Sequence, residues 1–221
     1  MTQIQATLID HMGSDLSTVN AARVSFGKTS QWEFSEDPDD TGTLSERDTK
    51  LIRYLAKHNH LSPFGHAFAS FHVKAPLFVH AQLVKHKFLR VNTISRRYVD
   101  DSVVLYTPDT WRGRSEDKKQ GSSDDMDWEH TPYCYETSLN NYKFLLDTGV
   151  APEMARMVLP QALMTEFYWS GSLDAFAAMC VLRCAPDTQY ESRVVADQIS
   201  EVMGRLFPVS WEALMKGQTN D

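Results

Sequence analysis

Between Ala67 and Phe88 the chain changes its hydrophobic period within one short stretch. Ala67, Ala69, Phe71 and Val73 fall on alternate positions, as in a strand with one buried face. Pro76 then stands where a helix can begin, because the first helical position needs no backbone N–H. In the helix that follows, Leu77, Ala81, Val84 and Phe88 share one side at helical steps and are expected to be core. Phe78, Gln82, Lys85 and His86 fall on an adjacent side. A strand buried on one face that hands over directly to a helix, and then to a loop, confines the chain to architectures that mix both elements.

The same block carries a dense positive charge. From Gln82 to Tyr98 lie Lys85, Lys87, Arg90, Arg96 and Arg97, with His86 and Ser95 among them, in a protein of formal net charge −7. The acidic average argues against general coating of nucleic acid, which needs a basic surface. The local cluster is therefore more telling than the average. A phosphate ester requires several fixed donors, and Lys85, Lys87, Ser95, Arg96 and Arg97 offer them on both sides of a turn. Gln82 and Asn92 add the paired donor and acceptor groups that a pyrimidine edge requires. The plain alternative is a solvated charged face, since surface charge is common.

The remainder reads as one domain over residues 1–221, with 42% hydrophobic residues and enough length to bury a substantial core. A strand is expected over 2–9, and Asp15 is expected to cap a helix from Leu16 to Val24. Gly27 to Gly42 is polar and acidic and reads as a mobile loop. Thr43-Leu-Ser-Glu46 resembles a capping box for a helix that ends near His58. After a turn at Ser62-Pro-Phe-Gly65 and the block above, Thr107 to His130 reads as a polar surface excursion. Helices are expected near 128–148 and 152–158, a strand over Leu163 to Trp169, and helices near 172–184, 188–205 and 209–216. Cys134, Cys180 and Cys184 form no Cys-x-x-Cys pair, and an odd count without a signal peptide reads as reduced, cytoplasmic thiols. No apolar run approaches the roughly 20 residues that span a bilayer.

Two further constellations invite a chemical reading. His58, His60, His66, His72, His80 and His86 raise the question of a metal, but His58 and His60 sit at a helix end and no His-Glu-x-x-His helix is present, so none is expected. A single His acting on a ligand is the better expectation. Arg156 and Arg183 each stand beside apolar residues, and either binds a partner there or snorkels to the surface. Neither a Gly-x-x-x-x-Gly-Lys loop nor a Gly-x-Gly-x-x-Gly fingerprint occurs, so a nucleotide cofactor would use some other fold.

Lys85-His86-Lys87, seven residues, then Ser95 resembles the Arg-His-Arg, seven residues, Ser signature of flavin-dependent thymidylate synthases. Met12 to Phe26, His58 to Phe64, Phe71 to Pro76, Ala155 to Pro160 and Leu182-Arg183 resemble the same family, in its order. The resemblance covers nearly the whole chain outside residues 27–42 and 108–128. It implies an α/β (α+β) fold with a central, mostly antiparallel sheet flanked by helices, assembled as a homotetramer with FAD and dUMP at subunit junctions. It implies transfer of a one-carbon unit from 5,10-methylenetetrahydrofolate to C5 of dUMP, with NADPH reducing the flavin and no cysteine nucleophile. By position, Gln82, Lys85, Ser95, Arg97 and Arg156 resemble dUMP-binding residues, and Arg183 the Arg that holds the pyrimidine against the flavin. Ser25, His60, Ser62, His86, Lys87 and Ser172 resemble residues that contact FAD. Arg183, Ser95 and His86 are the residues expected to carry the chemistry.

The departures from the family pattern are specific. Both outer Arg positions of the signature are Lys, which replaces a planar fork by a point charge. Thr93 and Gly65 stand where acidic residues are usual, and Ser172, Asp174, Ala178 and Asp187 alter the flavin-binding helix and its sequel. Thr93 keeps open a relative that attaches a hydroxymethyl group or acts on dCMP. The changes from 172 to 187 keep open an inactive, flavin-free relative. From a different class, segment 85–97 could serve a nucleic-acid-binding module.

Overall fold

The alternation that begins at Ala67 is realised as a strand at the middle of a four-stranded antiparallel sheet. The computed structural model describes residues 4–37, 39, 41–97, 103–116, 121–125 and 133–217. In chain order these form β1 (Gln5–Met12), α1 (Asp15–Arg23), α2 (Glu46–Lys57), β2 (Phe68–Pro76), α3 (Leu77–Leu83) and β3 (Arg90–Thr93). There follow β4 (Arg112–Arg114), β5 (Ser122–Asp125), α4 (Tyr133–Asp147), α5 (Pro152–Ala155), β6 (Met164–Ser172), α6 (Leu173–Arg183), α7 (Tyr190–Leu206) and α8 (Pro208–Gly217). Short 3₁₀ turns occupy Val24–Phe26, Ser62–His66 and Arg156–Val158. The main sheet runs β1-β2-β6-β3, and β4 pairs with β5 separately.

One face of the sheet is apolar and the other polar, as the period of two requires. Ala69, Phe71, Val73 and Ala75 of β2 are buried together with Phe167 and Trp169 of β6. Phe176 of α6 meets Phe71 and Trp169 edge-on, with ring centroids 5.3 Å and 5.7 Å away. Val195, Ile199 and Met203 of α7 and Leu214 of α8 complete this core, and Ile52 of α2 joins it. On the opposite face Lys74 pairs across the strands with Glu166 at 3.1 Å, His72 reaches the same carboxylate at 3.0 Å, and Ser70 donates to Ser170 at 2.8 Å. The edge strand β1 is tied down by Gln198 of α7, which accepts from the Ala6 N–H and donates to the Ile4 carbonyl.

Several expectations are corrected. Ser14, not Asp15, is the N-cap of α1, with its N–H donating to the Ser17 hydroxyl at 3.0 Å. Asp15 is buried and instead accepts from the backbone N–H groups of Val209 and Ser210, capping α8 from nearly the whole chain length away. The cap of α2 is Ser45, whose hydroxyl accepts from the Asp48 N–H. The stretch from Gly27 is not free: Ser30 exchanges two hydrogen bonds with Asn20 and donates to Asp48, and Glu33 pairs with Thr43 through the backbone. Burial pushes the Asp48 carboxyl up, but donors from Arg23, Ser30 and Ser45 outweigh it and hold it below its ordinary value. The helix after Pro76 buries Val79 and Leu83, whereas Ala81, Val84 and Phe88 are exposed. The described parts of the 107–130 excursion carry strands β4 and β5 and dock on α7; residues 117–120 and 126–130 lie outside the described residues.

Candidate active site

The basic segment is folded by a tight reversal between α3 and β3. Phe88 sits at φ +66°, a left-handed conformation that a bulky side chain rarely adopts, and this turns the chain back to pair β3 with β6. Gly171 of β6 faces that reversal, and a Cβ there would collide with Leu89 and stand 3.2 Å from the Phe88 carbonyl oxygen. Absence of a side chain at Gly171 is what lets the loop lie against the strand. The register sets Asn92 opposite Tyr168 and Thr93 opposite Phe167. Thr93 shares a 2.9 Å hydrogen bond with Nε2 of His80 on α3, so the hydroxyl at this departing position braces the loop from its inner side.

At the loop's centre Arg183, at the end of α6, donates from Nε to His86 Nε2 at 2.9 Å. His86 is half-buried, and burial together with the Arg183 charge lowers its pKa from 6.5 to about 4. The imidazole is therefore neutral at physiological pH, with Nε2 as acceptor and the proton on Nδ1. Among the described residues the terminal guanidinium nitrogens of Arg183 have no protein partner.

A second network starts from Gln82 on α3. Its amide nitrogen donates to Gln189 Oε1 at 2.6 Å and its oxygen accepts from the Ser192 hydroxyl at 3.1 Å, so the orientation of the amide is set. Gln189 donates in turn to Glu191 at 3.2 Å. Glu191 is buried and paired with Arg112 of β4, and the Tyr106 hydroxyl donates to it at 3.4 Å. Burial, with the Glu191 charge behind it, pushes the Tyr106 hydroxyl well above its ordinary pKa. Sequence reasoning missed Gln189, Glu191, Ser192 and Arg112. A Gln and a Glu at the start of a helix carry no signal by themselves, and their partners lie about a hundred positions away.

The other expected residues fall into four places. Ser95 accepts from the backbone N–H and from Nε of Arg97, both at 3.4 Å, while Lys85 and Lys87 are exposed beside the loop. Ser25 lies on the 24–26 turn that follows α1, and His60 and Ser62 lie at the 62–66 turn, which packs on α1 and α6. Ser172 is the N-cap of α6, but its hydroxyl donates to Asp174 at 2.5 Å. Arg156 lies apart on the 156–158 turn, exposed, with Nε donating to the Glu153 carbonyl at 3.2 Å.

Ser25, Ser62, His86 and Lys87 offer donors of the kind that the pyrophosphate and ring of a flavin nucleotide would take. The hydroxyls of Ser25 and Ser62 and the ammonium of Lys87 are exposed and make no hydrogen bond among the described residues, and His86 presents a neutral N–H. Ser172 departs: its hydroxyl is committed to a carboxylate whose negative charge opposes a phosphate at that helix start. Among the described residues no group of His, Cys, Asp and Glu is arranged to hold a metal ion.

The chain is similar to known proteins along nearly its whole length. A family model described as thymidylate synthase complementing protein matches residues 7–209. A flavin-dependent thymidylate synthase of Kosmotoga olearia is 38% identical over 215 residues, covering 94% of this chain and 88% of the relative. One from Thermus thermophilus is 39% identical over 210 residues, covering 93% of this chain and 73% of the relative. Among solved structures, a UMP/dUMP methylase from Streptomyces cacaoi bound with 5-Br dUMP superposes with a TM-score of 0.79 at 30% identity, covering 97% of this chain and 96% of the other.

Proposed function

Because the chain belongs to the family of flavin-dependent thymidylate synthases, we propose that it converts dUMP to dTMP through the loop that joins Arg183 to the basic segment. 5,10-Methylenetetrahydrofolate is the one-carbon donor, and bound FAD, reduced by NADPH, supplies the hydride. The chain's own residues bind, orient and polarise. Arg97, Ser95, Lys85 and Arg156 take the nucleotide phosphate, and Gln82, its amide held by Gln189 and Ser192, takes a fixed polar position beside it. Ser25, His60, Ser62, His86 and Lys87 face the flavin.

The observation that carries the reading is the Arg183–His86 contact. It fixes the guanidinium through one nitrogen and leaves the other two for a ligand. Placed at a uracil carbonyl, those donors stabilise the negative charge that develops as C5 becomes nucleophilic, so no thiolate adduct is needed. Cys180 supports this: it is buried, and burial raises its pKa, the opposite of an activated nucleophile.

The pattern of exposed apolar side chains supports a homotetramer with sites at its junctions. Phe26, next to Ser25, is 79% exposed; Phe88, next to Lys87, 81%; Met157, next to Arg156, 70%; and Leu182, next to Arg183, 61%. Apolar surface concentrated beside site residues marks faces covered by other subunits. We read the chain as one catalytic domain over 1–221, cytoplasmic, and acting on a mononucleotide with neither nucleic acid nor membrane as partner. The net charge of −7 supports this, and among the described residues no helix is long and apolar enough to cross a membrane.

The test supplies purified protein with FAD and then with dUMP, UMP or dCMP, folate and NADPH. Uptake of FAD with its absorbance, and a product heavier than dUMP by one CH2, a methyl group in place of the C5 hydrogen, are expected. A hydroxymethyl product or turnover of dCMP alone overturns the assignment, and failure to take up FAD removes the enzyme reading altogether.

A further inference from the structure

The amide of Gln82 ends a hydrogen-bond chain whose direction is set away from the nucleotide loop. A side-chain amide can be turned either way, because its oxygen and nitrogen have nearly the same shape and exchange roles when the group flips. A carboxylate can only accept. Glu191, at the start of α7, is 3% exposed and paired with Arg112 of β4, and Arg112 is held in turn by donation from Nε to the Ser122 hydroxyl at 2.9 Å. The group that meets Glu191 Oε2 at 3.2 Å is therefore the NH2 of Gln189. That leaves Gln189 Oε1 facing Gln82, which can meet it at 2.6 Å only with its own NH2. The same NH2 donates to the Phe78 carbonyl at 3.3 Å, so both of its hydrogens are committed within the protein. Among the described residues Gln82 Oε1 accepts from the Ser192 hydroxyl alone, at 3.1 Å, and with two lone pairs it keeps one acceptor site. Ser192 does not set the direction, since a hydroxyl donates or accepts as its neighbour requires.

We propose that Glu191 and Gln189 are positioning residues for the nucleotide: through them Gln82 is locked in one sense, and it reads a hydrogen-bond donor of the substrate, a sugar hydroxyl or a ring N–H, and not an acceptor. The inference rests on the functional reading above, which sets Gln82 at dUMP. It narrows that reading, because an unfixed amide could serve either a donor or an acceptor of the nucleotide, and this one has no free hydrogen to give. It also gives the β4–β5 hairpin a part in the site. Arg112 holds the Glu191 carboxylate in place, so the docked hairpin acts on the nucleotide through Glu191, Gln189 and Gln82 in turn. A chain of bonds that merely tied α3 to α7 would work equally well in either sense.

The test measures Kd by calorimetry on the FAD-loaded protein for dUMP, its 3′-deoxy analogue and its N3-methyl analogue, which lack the sugar hydroxyl and the ring N–H respectively. The wild type is expected to bind one analogue about fivefold more weakly than dUMP, the size of one neutral hydrogen bond. Glu191→Gln removes the accept-only group at nearly constant shape, and is expected to shrink that penalty below about twofold while FAD uptake is kept. Gln189→Glu combined with Glu191→Gln exchanges the two groups, so that a carboxylate again faces the Gln82 NH2, and is expected to restore the penalty. A purely structural tie would not be rescued in this way. Collapse of the 3′-deoxy penalty assigns the sugar hydroxyl, and collapse of the N3-methyl penalty the ring N–H. A wild type that penalises neither analogue, a Glu191→Gln protein that keeps the penalty, or an exchanged protein that folds without restoring it overturns the proposal. If either Glu191 variant does not fold, Gln189→Met, which fills similar space without a polar group, must collapse the penalty, and its retention overturns the proposal. A wild type that takes up neither FAD nor dUMP overturns the functional reading, and this inference with it.

Discussion

At the scale of single residues the site turns on the proton inventory of His86. Its folded pKa of about 4 lies below the ordinary 6.5, so between those values the unfolded chain binds a proton that the fold resists. The stability this group contributes is complete above pH 6.5 and is lost as pH falls toward 4. NMR titration of the imidazole should give a midpoint near 4, and Arg183→Gln should raise it only part of the way, because burial remains. A midpoint near 6.5 in the wild type would mean that the contact does not form in solution. Arg97→Ala should weaken dUMP binding about tenfold or more, since a hydrogen bond to a charged group contributes roughly 1.5–3 kcal/mol; an unchanged Kd would place Arg97 away from the phosphate. The sequence motif named Lys85, His86, Ser95 and Arg97, because their spacing is a linear property. It could not name Gln189 or Ser192, whose role follows from facing Gln82 across the fold.

At the scale of elements, the loop from Val84 to Leu89 depends on a neighbour it does not touch in sequence. Gly171→Ala places a methyl group against Leu89 and the Phe88 carbonyl, and overpacking of this kind costs about 1–3 kcal/mol. A urea midpoint lowered accordingly, together with a raised KM for dUMP, is the expected result. A wild-type midpoint would show that Leu89 yields freely. The long strands and helices were legible from hydrophobic period, whereas β3 was not. Arg90-Val-Asn-Thr has no buried face, with all but Thr93 exposed, and is a strand only because β6 offers its edge. The reversed faces of α3 have a related cause. Its helical period allowed two apolar sides, Leu77-Ala81-Val84-Phe88 and Val79-Leu83, and the sheet beneath selected the second.

At the scale of the whole molecule, Arg156 lies on the 156–158 turn, which packs on α4 and α5, Arg183 ends α6, and exposed apolar residues stand beside both. If the chain assembles as the proposed homotetramer and another subunit's Arg156 completes each site, the Arg156→Ala and Arg183→Ala proteins should each be inactive. Mixing them under conditions of subunit exchange should restore part of the activity. Absence of any recovery in verified mixed tetramers would mean that both residues serve a site within one chain.

The sequence by itself determined the family and the order and type of the long elements, because motif spacing and hydrophobic period are local along the chain. Tertiary structure alone decided that Asp15 caps α8 rather than its own helix, that α3 buries Val79 and Leu83, and that Gln82 is oriented by Gln189 and Ser192. Each of those outcomes is a choice between donors, acceptors or faces that are locally equivalent. The choice is made by whichever partner packing brings within hydrogen-bond or van der Waals reach.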